Sequence, residues 1–179
     1  MNCTELMGLY QLRVNYMAQS KMLQDLFVET LKDIYYAEKQ ILKALPKMAR
    51  GAKSPELKQA FETHRTETEG HVERLQQVFD IVNKPAQAKT CDAILGIVEE
   101  GKEVMEEFAN SPALDAGLLS SAQAVEHYEI ARYGTLKTWA GQLGLKEAVT
   151  LLDQTLQEEI KTDKLLSQLA TQRVNAKAA

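Results

Sequence analysis

Apolar residues recur every three or four positions along most of this chain, which is the spacing of amphipathic helices. The segment Ser54-Pro55-Glu56 has the form of a helix start, with a capping serine, a proline at the first helical position and an acidic first turn. Other breaks occur at Gly51, Asn83-Lys84-Pro85, Asn110-Ser111-Pro112 and Gly144. The breaks predict long helices at about 22–50, 55–82, 115–143 and 146–172, and a shorter helix at about 92–108.

The lengths of the connections predict how these helices assemble. The first and second long helices, and the third and fourth, are separated by only a few residues, so each pair should form an antiparallel hairpin. A much longer connection, which contains the short helix, joins the two hairpins. The expected fold is therefore all-α, a ferritin-like four-helix bundle over residues 22–175. Residues 1–21 form an N-terminal extension, and the tail from Ala170 is expected to fray.

Composition narrows the class of protein. The chain has 179 residues, of which 45% are hydrophobic and 26% charged, and its formal net charge is -4. These values suit one soluble globular domain, and the negative charge argues against nucleic-acid binding. No apolar run is long enough to cross a membrane, and the N-terminus lacks the pattern of a signal peptide. Because Cys3 and Cys91 make no disulfide framework, a cytoplasmic location is expected.

Each long helix carries at least one acidic side chain on its otherwise apolar, core-facing stripe. The second helix adds two of the three histidines in the chain. Glu158 is excluded from the candidate site residues, because its position on the helical wheel points outward. The residues on the stripes or at their edges are Glu38 on the first helix, His64, Glu67 and His71 on the second, Glu126, Glu129 and Tyr133 on the third, and Glu159 and Asp163 on the fourth.

Several acids in one core need a common counter-charge, because burying an unpaired carboxylate costs several kcal/mol. Two divalent or trivalent cations would supply that charge. Hard oxygen ligands with one or two imidazoles suit iron or manganese, and zinc less specifically. The other interpretation is a buried hydrogen-bond network that fixes the register of the helices without metal, for instance at a site that has lost its ions.

Four segments closely resemble the YciF-like family of bacterial stress proteins, and the resemblance covers roughly residues 22–175. The segment on the third long helix, residues 125–136, is the part of the chain most specific to that family. The resemblance implies a ferritin-like homodimer that is associated with general stress responses and has no settled biochemical activity. The segments are Ala37-Glu38-Lys39-Gln40, His64-x-x-Glu67-Thr68, Val125-Glu126-His127-Tyr128-Glu129-Ile130-Ala131-x-Tyr133-Gly134-Thr135-Leu136 and Leu156-x-Glu158-Glu159-x-x-x-Asp163.

The resemblance also implies a set of metal ligands. The helical wheel alone does not decide which of His64 and His71 is a ligand. The resemblance favours His64, because His64-x-x-Glu67 is the family's pattern. The usual dinuclear arrangement has Glu-x-x-His on two helices, and this chain departs from it on both the second and the fourth. By analogy with the fold, Glu67 and Glu159 would bridge two metal ions. The implied ligands are Glu38, His64, Glu67, Glu126, Glu129, Glu159 and Asp163.

Two hypotheses for function follow. In the first, a dinuclear centre, most simply of iron, sequesters metal or reacts with a small oxidant such as oxygen or peroxide. In the second, the protein is a non-enzymatic structural or interaction protein of the stress response, and its buried acids only fix the packing. The departure from Glu-x-x-His weakens the enzyme hypothesis, and the sequence contains no recognisable nucleophilic triad or phosphate-binding loop.

Overall fold

The computed structural model describes residues 21–178, so nearly all of the predicted N-terminal extension lies outside the described residues. In this part of the chain no strand occurs, and none of the helices is both long and apolar enough to span a bilayer. The predicted helices are confirmed to within a few residues. They are α1 (Leu23–Gly51), α2 (Pro55–Ile81), α3 (Asp92–Glu107), α4 (Leu114–Gln142) and α5 (Lys146–Leu169).

The four long helices form a closed ring around one core. Helix α1 packs on α2, α2 on α5, α5 on α4, and α4 on α1. The short helix α3 lies in the crossover between α2 and α4 and packs against α4 and α1. This arrangement confirms the predicted bundle of two hairpins joined by a long crossover.

The core is apolar toward the ends of the bundle and polar in its middle. Helix α2 shows this order most simply, because its buried residues begin with Leu57 and Phe61 and finish with Val78 and Phe79. Between these apolar groups lie buried histidine and threonine side chains. The apolar ends therefore enclose a polar layer at mid-length, which is where the predicted site falls.

Two helices end in the same type of hydrogen-bonded cap. At the end of α4, Gly144 adopts a φ of 74°, and the N–H of Leu145 donates to the carbonyl of Ala140 at 2.9 Å. At the end of α2, Asn83 adopts a φ of 52°, and the N–H of Lys84 donates to the carbonyl of Phe79 at 3.0 Å. Both are Schellman motifs, in which a residue with positive φ ends the helix. The breaks predicted at these residues thus have a direct structural cause.

The C-terminal tail differs from the prediction. After α5, residues Ala170–Val174 form a π-helical turn and Asn175–Ala178 a last short helix, α6, so the tail from Ala170 is helical where fraying was predicted. The reason is that Ala170 and Val174 are buried against the bundle and Arg173 forms an ion pair with Glu56 of α2. These contacts hold the tail in place.

Glycine allows α3 to approach α4 closely. A Cβ atom on Gly117 of α4 would lie 2.5 Å from Cγ1 of Val104 on α3, which is closer than such atoms pack. A Cβ atom on Gly101 of α3 would lie 3.3 Å from the Cβ of Ser121 on α4. The two small residues therefore set the distance between the crossover helix and the bundle.

Asp115 in the first turn of α4 holds the loop between α1 and α2. Its carboxylate accepts hydrogen bonds from the backbone N–H groups of Lys53 and Ser54, both at 2.7 Å. Ser54 in turn caps α2, because its hydroxyl accepts from the N–H of Leu57 at 3.3 Å. One side chain therefore ties the start of the second hairpin to the turn of the first.

We expect Asp115→Ala to lower the free energy of unfolding by about 1–3 kcal/mol, because two hydrogen bonds to a charged acceptor are lost. Urea denaturation of the variant and the unaltered protein measures this difference. Asp92→Ala is the matched control, since Asp92 is an exposed acid in the first turn of α3. Equal losses in the two variants would mean that only a general first-turn charge effect is present.

Candidate metal centre

Six acidic and imidazole side chains meet in the middle of the bundle, and we refer to them as the core cluster. All four long helices contribute, and the two histidines of α2 are separated by two helical turns. None of the six exposes more than 3% of its surface. They are Glu38 of α1, His64 and His71 of α2, Glu126 and Glu129 of α4, and Glu159 of α5.

The core cluster contains two overlapping groups of potential ligands. In each group, three carboxylates and one imidazole offer atoms that all lie within 4.8 Å of one another. Glu129 and Glu159 belong to both groups, and a carboxylate with two oxygens can bind two ions at once. The first group is Glu38, His71, Glu129 and Glu159, and the second is His64, Glu126, Glu129 and Glu159.

The imidazole nitrogens of the cluster lie close to its carboxylate oxygens. Nδ1 of His71 lies 2.9 Å from Oε1 of Glu159 and 3.5 Å from Oε1 of Glu38. On the other side, Nε2 of His64 lies 3.3 Å from Oε1 of Glu126, and its Nδ1 lies 3.9 Å from Oε2 of Glu159. None of these contacts is a hydrogen bond, and the ligand atoms of each group lie within 4.8 Å of one another.

The arrangement fits metal ions in its choice and orientation of donor atoms. Among the described residues, nine buried side-chain nitrogen and oxygen atoms have no hydrogen-bond partner, and all nine belong to the core cluster. Buried polar atoms are otherwise almost always paired. Carboxylate oxygens with one imidazole nitrogen per group suit iron or manganese, whereas zinc sites more often hold fewer oxygens.

The crowding of charge perturbs the pKa values of the cluster. Burial, and then the negative charge of Glu159, raise the pKa of Glu126 and Glu129 well above the ordinary value of 4.5. Burial alone would lower the pKa of His71, but Glu38 and Glu159 raise it to about 10. Burial also acts to raise the pKa of Glu159, yet His71 and His64 lower it below the ordinary value. The imidazolium of His71 thus neutralises part of the negative charge of the cluster at neutral pH.

A second layer of side chains orients the cluster. The hydroxyl of Tyr133, which is fully buried, donates to Glu38, and its ring packs edge-on against His71 at 6.3 Å between centroids. The other ring nitrogen of His71, Nε2, lies 3.0 Å from Oε2 of Glu158, which also pairs with Arg74. Such outer contacts fix the tautomer and direction of a ligating imidazole.

Two of the residues proposed as ligands, Glu67 and Asp163, lie outside both groups. Glu67 is partly exposed and accepts from Nζ of Lys161 at 3.3 Å. The imidazole of His64 lowers the pKa of Glu67 to about 2, against the effect of partial burial and with help from Lys161. Asp163 accepts from Nε2 of Gln123 at 3.0 Å. The carboxylates common to the two groups are Glu129 and Glu159. Oε2 of Glu67 lies 3.9 Å from Nδ1 of His64, and its role as a bridge stays a prediction.

Two residues have a larger part in the site than the sequence suggested. His71 is as deeply buried as His64, although the family pattern favoured His64. The helical wheel does contain that signal, because both histidines lie on the core-facing stripe of α2. Glu158 was predicted to point outward, but its side chain is only 27% exposed and reaches back to His71. Periodicity describes where a helical position faces and not where a long side chain ends.

Comparison with known proteins identifies the family of the chain. A sequence profile described as Domain of unknown function (DUF892) matches residues 22–179. The chain belongs to this family. Protein YciF of Escherichia coli (strain K12) is 46% identical over 159 residues, which cover 88% of this chain and 96% of that protein. The predicted resemblance to the YciF-like family is therefore confirmed.

Solved structures of related proteins have the same fold. The E. coli stress protein YciF superposes with a TM-score of 0.83 at 45% identity, over 87% of this chain and 99% of that one. YcfI of Rhodopseudomonas palustris, described as a candidate structural protein, gives a TM-score of 0.80 at 44% identity, over 83% and 95% of the two chains. A protein from Xanthomonas campestris gives 0.65 at 26% identity, over 87% and 95%. The same helical fold thus occurs in a protein of only 26% identity.

The raised pKa values predict that the metal-free protein loses stability as the pH rises. A group whose pKa is higher in the folded state stabilises the fold below its unfolded pKa, and this contribution is lost as the pH rises through the folded pKa. Glu126, Glu129 and His71 are such groups. Glu67 and Glu159 have lowered pKa values, so their contributions are present in full above their unfolded pKa of 4.5.

We therefore expect the free energy of unfolding, measured with urea and a chelator, to fall by more than about 1 kcal/mol between about pH 5 and pH 9. Glu129→Gln removes one of the titrating acids and should make the fall smaller. Glu100→Gln, at an exposed position of α3, is the control and should leave it unchanged. A free energy that is flat or rises over this interval would contradict the expectation.

Proposed function

We propose that this DUF892 protein is a stress-response protein that binds two metal ions, most simply iron, in the core cluster. One observation carries the proposal: among the described residues, every buried side-chain nitrogen or oxygen atom that lacks a hydrogen-bond partner belongs to the six residues of the cluster. Glu38 and His71 would hold one ion and His64 and Glu126 the other. Glu129 and Glu159 would be shared between them. The association with stress rests on the relation to YciF.

The protonation and the orientation of the cluster side chains both suit the binding of cations. The raised pKa values of Glu126 and Glu129 favour the protonated form of these carboxyl groups, so that cations would bind in competition with protons. Tyr133 holds Glu38, and Glu158 with Arg74 holds His71, so that these ligands need little reorientation. Two ferrous ions, when bound, can together supply the two electrons that reduce dioxygen to hydrogen peroxide with the uptake of two protons.

The first test is the metal content of tag-free protein after anaerobic loading with ferrous iron and desalting. We expect about two iron atoms per chain, in keeping with a dinuclear carboxylate site. The double variant Glu129→Gln, Glu159→Gln should retain almost none, because both groups lose their shared ligands. Glu100→Gln, Glu103→Gln makes the same change of charge at exposed positions of α3 and should bind as the unaltered protein does.

No retained metal in the unaltered protein, or equal amounts in both double variants, would overturn this proposal. The core cluster would then be a structural network, consistent with the description of YcfI as a candidate structural protein. The contacts that favour this second function are those of His71 with Glu158 and of Tyr133 with Glu38, because they pair cluster residues with protein groups.

Single histidine variants separate the two ion positions. Each group contains only one imidazole, so His64→Ala and His71→Ala should each reduce the iron content from about two atoms per chain to about one. His127→Ala is the control, because His127 is 70% exposed and belongs to neither group. Loss of both ions in one variant and of none in the other would show that only the histidine replaced in the variant that loses them is a ligand.

A further inference from the structure

A cavity of about 70 Å³ adjoins the core cluster on the side of α3. The four long helices and the crossover helix α3 all contribute to its walls. These walls consist largely of apolar side chains such as Ile41, Phe61 and Val125. The exposed side chains of Lys47 and Lys102 also line it, so that it reaches the surface. The cavity therefore extends from the surface, beneath the crossover helix, into the core.

The inner lining of this cavity consists of two members of the core cluster. His64 and Glu126 both line it, with exposures of 3% and 1%. Both ring nitrogens of His64 and Oε2 of Glu126 lack a hydrogen-bond partner. An apolar space that ends on unpaired polar atoms of a candidate metal site is unlike an ordinary packing defect, which is apolar on every side.

The size and polarity of the cavity select a class of molecule. An apolar cavity of about 150 Å³ engineered in another protein stays dry and binds benzene or xenon. The present cavity has about half that volume, which suits a molecule smaller than an aromatic ring. A polar molecule such as hydrogen peroxide would lose its hydrogen bonds to water on entering the apolar part, at a cost of about 2 kcal/mol or more. An apolar diatomic gas has no such hydrogen bonds to lose.

We infer that this cavity binds dioxygen and leads it to the side of the core cluster formed by His64 and Glu126. The inference rests on the proposed function for its purpose, because dioxygen is the oxidant that a ferrous centre would consume. The binding itself depends only on residues of the chain. Ile97, Val98 and Gly101 of α3 form the outer wall, so the crossover helix controls what reaches the cluster.

Dioxygen itself is the probe of the first experiment, on metal-free protein, because its paramagnetism speeds the relaxation of nearby protons. We expect the oxygen-induced relaxation of the methyl protons of Ile41, Ala122 and Val125 to exceed that of Leu136 and Leu152 by about threefold or more, since an apolar cavity concentrates the gas. The two leucines are matched controls, buried to a similar degree but outside the cavity. Equal relaxation at all of these methyl groups would overturn the inference.

Two variants test the cavity from different positions. Ala122→Val fills its buried part, and Ala44→Leu fills it from a half-buried position on α1, where a larger side chain is easier to accommodate. Each should reduce the excess relaxation at least about twofold, because less free volume remains for the gas. Ala124→Leu, at an exposed position on α4, is the control. Excess relaxation that survives in both cavity variants would also overturn the inference.

Oxidation of ferrous-loaded protein separates this inference from the proposed function. Both cavity variants should bind as much iron as the unaltered protein, yet react with dioxygen about tenfold more slowly, because the path to the cluster is narrowed. Their reaction with peroxide should change less. Unchanged oxygen rates, or equal slowing with both oxidants, would overturn the inference. If the unaltered protein retains no iron, the proposed function fails, and the relaxation experiment alone decides whether dioxygen occupies the cavity.

Discussion

Repulsion among the four carboxyl groups of the core cluster is the constraint on which the rest of the structure depends. Four carboxylates in a core without solvent would cost more than a domain of this size can offset unless they are neutralised. Part of the answer lies in the chain, since His71 has a raised pKa and Glu126 and Glu129 hold protons to unusually high pH. Cations would replace these protons at the same atoms, so that metal affinity and proton binding are two forms of one equilibrium.

The cluster also depends on the register of four helices. A slip of one residue would rotate a helix by about 100° and carry its acid out of the core. The devices that oppose such a slip lie far from the cluster, at the helix ends. Gly144 and Asn83 end α4 and α2 in capped turns, and Asp115 binds the loop before α2. Stability at the ends of the bundle therefore protects the geometry at its centre.

Most of the fold could be predicted from the sequence because its determinants are local. Helical periodicity, Gly144 and the Ser54-Pro55 start correctly predict the helices and their connections. The wheel also predicts that Glu129 and Glu159 lie in the core, since each sits at the middle of an apolar stripe. It could not predict the return of Glu158 to His71, because this contact depends on how a long side chain bends between two helices. The helical tail was missed for a similar reason, as Val174 is held by tertiary burial that a short polar segment does not reveal.

The position of α3 has a consequence for how such proteins can change. The core cluster draws on the four bundle helices alone, whereas the crossover helix supplies one wall of the cavity beside it and rests on α4 through Gly101 and Gly117. The residues of the core cluster and those of the outer cavity wall thus lie on separate segments of the chain. Substitutions confined to the crossover can alter the shape of the cavity while every residue of the core cluster stays in place. Within one family, an identical core cluster is therefore compatible with cavities that admit different molecules.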